Sequence, residues 1–401
     1  MTDFDVIVVG GRVAGAATAL LLARRGLRVL LAERAALDAD TISSHQLQIP
    51  GVALLQRWGL LDRLYGTPPA STLTFDAAGV VLNGVLPQYD GIGAIYSPRR
   101  TLLDPMLAGA ASEAGAEVRE HFRVQELLWS DGRVAGVAGR DLNGRTTRVT
   151  APFVVGADGK HSFVAQAAGA PVYRERPALS FAAYSYYANL PVSGGELYQR
   201  TGAAAAVFPT NGGLTMVYTS RPVRALDAAY RRDLEEGFLR TLDGFGELGE
   251  RVRAADRAER VRTTPDQPNR FHQPYGPGWA LVGDAGVVMD SVTAQGMTNA
   301  LRDAALLSEA IGRMMNGERR TMAGYHRARD AAVTPMYDLT VALARHDPGM
   351  GERLTSVPPD QVSNLLGALT GVVPPAEFFG PGRMARLVGG FAAASLAKVL
   401  G

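Results

Sequence analysis

The sequence predicts an α/β fold in which a nucleotide-binding domain is interleaved with an antiparallel β-sheet domain and is followed by a helical C-terminus. Three observations lead to this prediction. The chain opens with a strand, a glycine-rich turn and a helix. Its middle part changes to short alternating segments rich in aromatic residues, which is typical of antiparallel strands. Strand-then-helix patterns return after residue 276, so neither domain is continuous in sequence.

The N-terminal unit has the order strand, turn, helix, strand. An apolar strand over residues 5–9 leads into the turn Gly10-Gly11-Arg12-Val13-Ala14-Gly15, and an apolar helical pattern over residues 16–23 follows. A second strand over residues 28–32 ends at Glu33. This order and spacing predict a Rossmann-like βαβ unit.

The residue types in this unit suit a dinucleotide. Gly10 permits the tight turn, and Gly15 lets the helix approach the sheet. The helix N-terminus would present unpaired amides to a pyrophosphate, and these amides include those of Arg12, Val13 and Ala14. Glu33, followed by Arg34, would accept hydrogen bonds from a ribose. Since Arg12 replaces the usual middle glycine, a purely structural strand–turn–helix is the alternative interpretation.

The remaining elements follow in chain order. Helical patterns cover residues 51–64 and 102–114, and residues 123–129 and 133–137 form a hairpin around a turn at 130–132. Aromatic strands run from 179 to 221, with a hairpin turn at residues 209–213. A strand at 279–282 and a helix over about 295–314 return to the first domain. The last stretch is mainly helical, with proline breaks at 358–359 and 374–375.

These patterns give a domain division. The nucleotide-binding domain is predicted over 1–75, 101–175 and 276–345. The sheet domain is predicted over 76–100 and 176–275, and the C-terminal helical segment over 346–401.

Composition excludes several classes of function. The 401 residues are 47% hydrophobic with a net charge of +2, which indicates a globular protein without a nucleic-acid footprint. Cysteine is absent, so disulfides and thiolate chemistry are excluded. The six histidines are scattered and suggest no metal site. With no transmembrane stretch and no leader pattern, we expect a cytoplasmic protein.

Two further motifs carry acidic residues after strands. Asp158 follows the strand at 154–157, where it would reach a nucleotide, and the alternative is that it caps the next helix. Gly283 and Asp284 follow the strand at 279–282. The next helix starts near Gln295, Gly296 and Met297, and its first turn would present unpaired amides.

Taken together, the motifs at 10–15, 156–162 and 283–297 resemble the three fingerprints of the FAD-dependent aromatic hydroxylases, a class similar to the geranylgeranyl reductase-like flavoproteins. The resemblance covers the chain from the first strand to about residue 345. It implies non-covalent FAD bound by the residues of these motifs, with Arg100 and Val124 as further FAD contacts. It also implies Asp284 on the ribityl chain and the helix N-terminus beside the flavin ring.

The resemblance implies a monooxygenase. NAD(P)H would reduce the flavin, and O2 would supply an oxygen atom that hydroxylates or epoxidises a hydrophobic aromatic or polyene molecule, in the setting of secondary metabolism. The alternatives are hydride transfer of the geranylgeranyl reductase or dehydrogenase type, and a flavin-bearing protein with a non-redox cyclase or binding role. We expect a monomer or homodimer. The apolar segment 387–400 would cover a pocket, join a dimer or touch a membrane surface.

The chain departs from the family pattern near the flavin. Ser291 stands where relatives carry a proline, so we expect Ser291 and Thr293 to take part in the oxygen chemistry. In the segment 41–48, many relatives carry an arginine for the pyrophosphate. His45 or Gln48 is therefore a candidate to face the flavin, and for His45 the alternative is a hydrogen-bonded structural histidine.

The substrate side is predicted from the aromatic strands. Their side chains would form a wall over the flavin ring that suits a flat or extended apolar molecule. The alternative is ordinary sheet core, because successive side chains of a strand point to opposite faces. The residues predicted for this wall are Tyr184, Tyr186, Phe208 and Met216.

Overall fold

The structure is a computed structural model, and it describes residues 2–349 except 44 and 78, residue 351, residues 358–375, and residues 377, 378 and 380. The predicted apolar segment 387–400 lies outside the described residues. Among the described residues, no helix combines the length and the apolarity that crossing a membrane requires.

The strands, in chain order, are β1 (Val6–Val9), β2 (Val29–Ala32), β3 (Pro69–Ala70), β4 (Thr72–Ala77), β5 (Val80–Val85), β6 (Ile95–Tyr96), β7 (Glu117–Arg119), β8 (Arg123–Ser130), β9 (Arg133–Arg140), β10 (Thr146–Thr150) and β11 (Phe153–Gly156). They continue with β12 (Val172–Arg176), β13 (Ser180–Ala188), β14 (Gly195–Arg200), β15 (Ala203–Pro209), β16 (Thr215–Pro222), β17 (Asp256–Arg257), β18 (Arg262–Thr264), β19 (Asn269–His272), β20 (Tyr275–Gly276), β21 (Trp279–Leu281) and β22 (Val287–Val288).

The α-helices are α1 (Val13–Ala23), α2 (Ile49–Arg57), α3 (Arg100–Glu113), α4 (Phe163–Ala167), α5 (Ala228–Arg232), α6 (Leu234–Asp243), α7 (Glu247–Ala254), α8 (Gly296–Met315), α9 (Thr321–Leu343) and α10 (Val362–Leu369). Short 3-10 turns cover Leu61–Arg63, Asn211–Gly213, Val223–Ala225, Gly283–Ala285, Ser291–Thr293 and Pro359–Gln361.

The first sheet is the core of the nucleotide-binding domain. Its order is β20-β21-β11-β1-β2-β7, and all neighbours are parallel except the edge pair β20–β21. Helices α1, α3 and α8 cover one face, and β8–β10 with α4 cover the other. Because both faces are buried, β1 and β2 are apolar at every position. The predicted Rossmann-like fold is confirmed.

The second sheet belongs to the other domain. Its order is β17-β13-β16-β15-β14-β4-β5, with β18 also paired to β13, and only β14–β4 is parallel. One face carries aromatic side chains toward the first domain, while α6 and α7 pack on the other face. This alternation follows from the two-residue period of a strand. One face of the sheet therefore packs toward the first domain and the other forms a separate core with α6 and α7.

Several predicted elements differ in detail. The helix predicted over 51–64 is wrong in its length, because α2 ends at Arg57 and Gly59 then takes a left-handed conformation with φ of 72°. Strand β4 begins at Thr72, so the predicted division at 75/76 falls inside a strand. Helices α5, α6 and α7 were not predicted within 176–275. The signals of α5 and α6 are their N-caps, Asp227 and Asp233, each of which accepts a backbone hydrogen bond.

Candidate active site

A cleft of about 880 Å³ lies where the two domains meet. Its lining begins at the carboxyl ends of β1, β2 and β11 and extends to β13, β16 and the start of α8. This is the crevice in which open α/β sheets bind their ligands. The predicted cofactor residues that line it are Gly10, Arg12, Val13, Ala14, Glu33, Arg34, Arg100, Val124, Asp158, Asp284, Gly296 and Met297.

At two positions of the turn between β1 and α1, Gly10 and Gly15, a side chain would clash with the backbone. Gly10 has φ of 103°, and a Cβ there would lie 2.4 Å from the Ala157 carbonyl oxygen. A Cβ on Gly15 would lie 1.8 Å from the Gly10 carbonyl oxygen. Gly15 does not itself line the cleft, so its part is to let α1 approach the turn. Within the described part of the chain, no side chain caps the N-terminus of α1, which leaves its first amides facing the cleft.

Glu33 is tied into the same turn. Its carboxylate accepts hydrogen bonds from the amides of Gly11, at 2.7 Å, and Ala35, at 3.0 Å. The side chain is buried yet borders the cleft. This arrangement fixes one carboxylate at the cleft wall, where its remaining lone pairs can accept from hydroxyl groups.

Two arginines share one buried carboxylate beside the helix N-terminus. Asp104 is fully buried and accepts from Arg12 Nη1 at 3.0 Å, Arg100 Nε at 2.9 Å and Arg100 Nη2 at 2.9 Å. The three groups carry one net positive charge next to the α1 amides, which suits an anion. Asp104 was not predicted, although its position four residues after Arg100 on α3 is a signal for an ion pair.

Asp158 is held by the helix that follows it. Its carboxylate accepts from the Val164 amide at 3.1 Å and from the Ser162 hydroxyl. The hydrogen bonds of Asp158 are therefore those of the alternative interpretation, in which its side chain caps the next helix. Asp158 also borders the cleft, where a nucleotide was predicted. Burial raises the pKa of this carboxyl.

Asp284 has no such partner. Its side chain is exposed to the cleft, and among the described residues none donates a hydrogen bond to its carboxylate. Desolvation by the surrounding protein raises the pKa of Asp284, and the nearby Arg100 charge opposes that shift. A carboxylate in this position is available to hydroxyl donors of a ligand.

The N-terminus of α8 also faces the cleft. A Cβ on Gly296 would meet no described atom within 4 Å, so there is open space in front of this residue. No side chain among the described residues caps α8. Gln295 does not line the cleft, because its Nε2 donates to the Leu369 carbonyl at 3.4 Å. Gly283 does not line it either and instead packs against α1, where a Cβ on Gly283 would lie 2.7 Å from the Cβ of Ala14.

These features fit FAD. The unpaired amides and paired arginines suit a pyrophosphate, Glu33 and Asp284 suit the hydroxyls of ribose and ribityl groups, and the volume lies within the range of cofactor pockets. The residues would hold the cofactor with its adenosine part near Glu33.

A second cavity of about 70 Å³ adjoins the cleft. The two share Gln46, Tyr218, Ser291 and Ala294. Its other walls come from β4, β14, β15 and β16, the 291–294 turn, and the ends of α9 and α10. The predicted wall residues Phe208 and Met216 line this cavity, while Tyr184 lines the cleft.

Tyr218 was not predicted and lies at the junction. Its hydroxyl is 2.8 Å from Ser291 Oγ, and the Ser291 hydroxyl in turn contacts Gln267. Ser291 lines both cavities, whereas Thr293 lines only the second and bonds to Thr340 Oγ1 at 2.6 Å. Tyr218 faces Tyr184 in the β13–β16 register, and this pairing across strands is the signal that could have found it.

Asp290 lies beside this junction and is almost fully buried. It accepts from Ser180 Oγ at 2.7 Å and from the Val292 amide at 3.0 Å. Burial raises the pKa of Asp290 to about 6. The carboxyl is thus a titratable group in the lining of the cleft.

Two residues predicted for catalysis or the substrate wall line neither cavity. His45 is fully buried, with Nδ1 2.6 Å from the Ser43 carbonyl and Nε2 3.0 Å from the Tyr186 hydroxyl. Burial lowers its pKa to about 3. Arg99 covers the Tyr186 ring at 3.9 Å. Tyr186 was predicted to lie in the substrate wall, but His45 and Arg99 enclose it and it borders neither cavity. His45 has the position of a hydrogen-bonded structural histidine.

Comparison with known proteins shows the family of this chain. The family model described as "FAD binding domain" matches residues 3–340. A 2,4-dichlorophenol 6-monooxygenase of Delftia acidovorans is 30% identical over 187 residues, which are 42% of this chain and 32% of that protein. The chain thus spans about a third of that relative's length.

Two longer matches extend the comparison. Digeranylgeranylglycerophospholipid reductase 1 of Methanopyrus kandleri is 28% identical over 316 residues, covering 75% of this chain and 78% of that protein. The structure of the myxobacterial chondrochloren halogenase CndH superposes with a TM-score of 0.78 at 23% identity, covering 96% of this chain and 97% of that one. This last likeness shows a shared fold.

Proposed function

The chain belongs to the FAD-binding domain family, an assignment that makes it an FAD-dependent oxidoreductase, and from this premise we propose that it is an NAD(P)H- and O2-dependent monooxygenase. Its substrate is a hydrophobic aromatic or polyene small molecule, to which one oxygen atom of O2 is added. The match to a dichlorophenol monooxygenase supports this reaction class.

One observation carries the proposal. The cofactor cleft adjoins a second cavity and shares lining residues with it, among them Tyr218, Ser291 and Ala294, and none of the described residues around that cavity is charged. Bound FAD supplies the redox chemistry and the activation of O2. An uncharged space beside the cofactor, lined largely by apolar side chains, suits an apolar substrate.

The residues take the following roles in this proposal. Arg12 and Arg100, aligned by Asp104, bind the pyrophosphate, and Glu33 binds the ribose of the adenosine part. Asp284 accepts from the ribityl hydroxyls. The uncapped N-terminus of α8 stabilises negative charge on the flavin ring. Ser291 supplies a hydroxyl where the hydroxylases carry a proline, and Thr293 holds the turn through Thr340.

The test is oxygen labelling. The FAD-loaded protein is mixed with NADPH or NADH, 18O2 and a panel of hydrophobic phenols and polyenes, and the products are analysed by mass. We expect one 18O atom per product molecule and nucleotide oxidation that depends on both substrate and O2. Product that carries oxygen from water, or product formed without O2, would refute the monooxygenase assignment.

A second candidate is hydride transfer to a substrate double bond. The match to a digeranylgeranylglycerophospholipid reductase over 75% of the chain favours it, as does the absence of the proline at Ser291. The same experiment separates the two candidates. A reductase gives an unlabelled, saturated product under anaerobic conditions, whereas a monooxygenase gives none.

A further inference from the structure

A row of four buried hydrogen-bonding side chains leads away from the cleft wall. Its ends are two titratable residues, Asp290 and His346, which are 1% and 2% exposed. Ser180 and Ser220 lie between them and are fully buried. Asp290 lines the cleft, whereas His346 lines neither cavity. The row therefore connects the cleft to a titratable group that does not border it.

The sheet places the two serines side by side. Ala182 of β13 faces Ser220 of β16 in the antiparallel register, so Ser180 and Ser220 are diagonal neighbours on one face. Ser180 Oγ lies 2.7 Å from Asp290 Oδ2 and 3.0 Å from Ser220 Oγ. His346 Nε2 lies 3.0 Å from Ser220 Oγ. Every step of the row thus has the length of a hydrogen bond.

The direction of these hydrogen bonds follows from the carboxylate. An ionised carboxylate can only accept, so Ser180 donates its one hydrogen to Asp290. The Ser180 oxygen then accepts from Gln267 Nε2 at 3.0 Å and from the Ser220 hydroxyl. Because the Ser220 hydrogen is used in this way, His346 Nε2 must donate to Ser220. The neutral imidazole is therefore the Nε2–H tautomer, and its bare Nδ1 has no hydrogen-bond partner among the described residues.

His346 also has an unusual backbone conformation. Its φ of 54° is left-handed, a region in which residues other than glycine are uncommon and which recurs at functional sites. Its carbonyl accepts from the Gly202 amide at 3.0 Å. The residue that follows, Asp347, is exposed. The far end of the row is thus next in sequence to the protein surface.

Different charged groups act on the two ends. Burial, followed by the charges of Arg221 on β16 and Arg224 on the next turn, lowers the pKa of His346 to about 4. Asp290 forms no ion pair with a described residue, and Tyr218 is the titratable group that interacts with it from the sheet. Burial raises the pKa of Asp290 to about 6. His346 is therefore neutral at pH 7, while Asp290 can gain and lose a proton near this pH.

We propose that Ser180 and Ser220 form a proton path through which His346 resupplies the carboxyl of Asp290 at the cleft wall. A solvent proton binds to His346 Nδ1, and Nε2 passes its own proton to Ser220. Ser220 passes its hydrogen to Ser180, which protonates Asp290. Only protons move, and no electron is transferred. The path is ready again after the two hydroxyls have rotated back and the imidazole has returned to the Nε2–H tautomer.

This path goes beyond the proposed function, because it would serve either candidate reaction. Oxygenation and the reduction of a double bond each consume one proton per turnover in addition to the hydride of NAD(P)H. A cleft filled by cofactor and substrate excludes water, so this proton needs a route through the protein. Asp290 is the member of the path that borders the cleft, and the other three residues act through it.

The test measures how fast Asp290 is protonated in the FAD-loaded protein, without substrate or reductant, so that no turnover occurs. Photolysis of a caged acid lowers the pH from about 7.5 to about 5, and time-resolved infrared absorption follows the carboxyl band that is missing in Asp290→Asn. We expect Ser220→Ala and His346→Asn each to slow the rise of this band by about a hundredfold, the lower end of what a positioned proton carrier contributes. Asparagine is chosen because it also adopts the left-handed conformation.

Two further variants separate proton transfer from packing. Ser220→Thr keeps the hydroxyl and should keep the rate of the wild type. Thr219→Val removes a buried hydroxyl of the same strand that does not belong to the row, and it should also leave the rate unchanged. A second measurement uses the wild type alone. Nitrogen-15 NMR of the histidine-labelled protein at pH 7 should show the Nε2–H tautomer for the signal that is missing in His346→Asn.

Equal protonation rates in the wild type, Ser220→Ala and His346→Asn would mean that protons reach Asp290 through the cleft, and this would overturn the inference. A Ser220→Thr variant as slow as Ser220→Ala, or a Nδ1–H tautomer of His346, would also overturn it. Oxygen labelling is read separately. If labelled products form while the rates are equal, the proton path fails and the monooxygenase assignment remains. If the rates differ as expected and no label is incorporated, the path remains and that assignment fails.

Discussion

The cleft and the second cavity are lined by different kinds of groups. The cleft is lined by backbone turns, uncapped helix ends and charged side chains. The second cavity is lined by apolar side chains, carboxamides and hydroxyl groups that already make hydrogen bonds within the protein. The cleft depends on local geometry within short segments. The second cavity depends on residues that come from strands, a turn and helices far apart in sequence. The difference predicts that each cavity can be damaged without harming the other.

The largest expected effect concerns the turn at Gly15. Gly15→Ala would place a Cβ 1.8 Å from the Gly10 carbonyl oxygen, so the turn must move and FAD should be lost on gel filtration. Gly109→Ala is the control, because a Cβ there meets no described atom within 4 Å and alanine favours the helix α3. The flavin-to-protein ratio is measured by absorbance. Full FAD retention in Gly15→Ala would contradict the structural role of this turn.

The next effect is a pH dependence at Asp290, at the junction of the cavities. Burial raises its pKa from 3.8 to about 6, so the folded protein binds a proton more tightly than the unfolded chain. The contribution of Asp290 to stability is therefore present at low pH and is lost as the pH rises from about 4 to 6. The loss amounts to about 3 kcal/mol for a shift of this size.

Urea unfolding of the wild type and of Asp290→Asn, in excess FAD at pH 4 and pH 7.5, checks this sign. The wild type should lose free energy of unfolding relative to the variant as the pH rises. A constant difference between the two proteins would show that Asp290 titrates normally.

A smaller effect is expected at the adenosine end of the cleft. Glu33→Ala should weaken FAD binding by ~1–3 kcal/mol, the value of a hydrogen bond to a charged group, and leave the spectrum of the bound flavin unchanged. Glu126→Ala is the control, since Glu126 is exposed and does not line the cleft. Both constants are obtained by fluorescence titration. A shifted flavin spectrum in Glu33→Ala would mean that the cofactor lies in the opposite direction.

The smallest effect probes the second cavity. Ala206 lies on β15 and lines this cavity, so Ala206→Phe should fill it. The hydrophobic phenol 2-naphthol is larger than the cavity and would extend from it into the adjoining cleft, and its binding should weaken by about tenfold, or about 1.4 kcal/mol. FAD affinity should not change, because Ala206 does not line the cleft. Calorimetry with each ligand tests both statements. Loss of FAD from this variant would contradict the separation of the two cavities.

The sequence predicted the cleft better than the second cavity for a physical reason. A tight turn, a strand end and a helix start each depend on a few neighbouring residues, so Gly10, Glu33 and Asp284 are visible as motifs. Asp104 also pairs with Arg100, four residues earlier, and that pairing is visible in the sequence, but its place in the cleft depends on its contact with Arg12, 92 positions away. Such a contact has no local signature.

Side-chain direction was the second difficulty. Tyr184 and Tyr186 lie on the same strand at the same two-residue period, yet Tyr184 borders the cleft while His45 and Arg99 enclose Tyr186. Tyr218 reaches the junction from a neighbouring strand. Periodicity predicts the face of a sheet and does not reveal which loops cover it.

The central claim is that the two cavities form one active site, with the flavin ring beside the second cavity. Titration of the FAD-loaded protein with 2-naphthol, followed by flavin absorbance, tests this most directly. We predict a saturable change of the flavin spectrum whose midpoint equals the calorimetric dissociation constant, and a midpoint about tenfold higher in Ala206→Phe. Binding of 2-naphthol that saturates by calorimetry and leaves the flavin spectrum unchanged would contradict the claim.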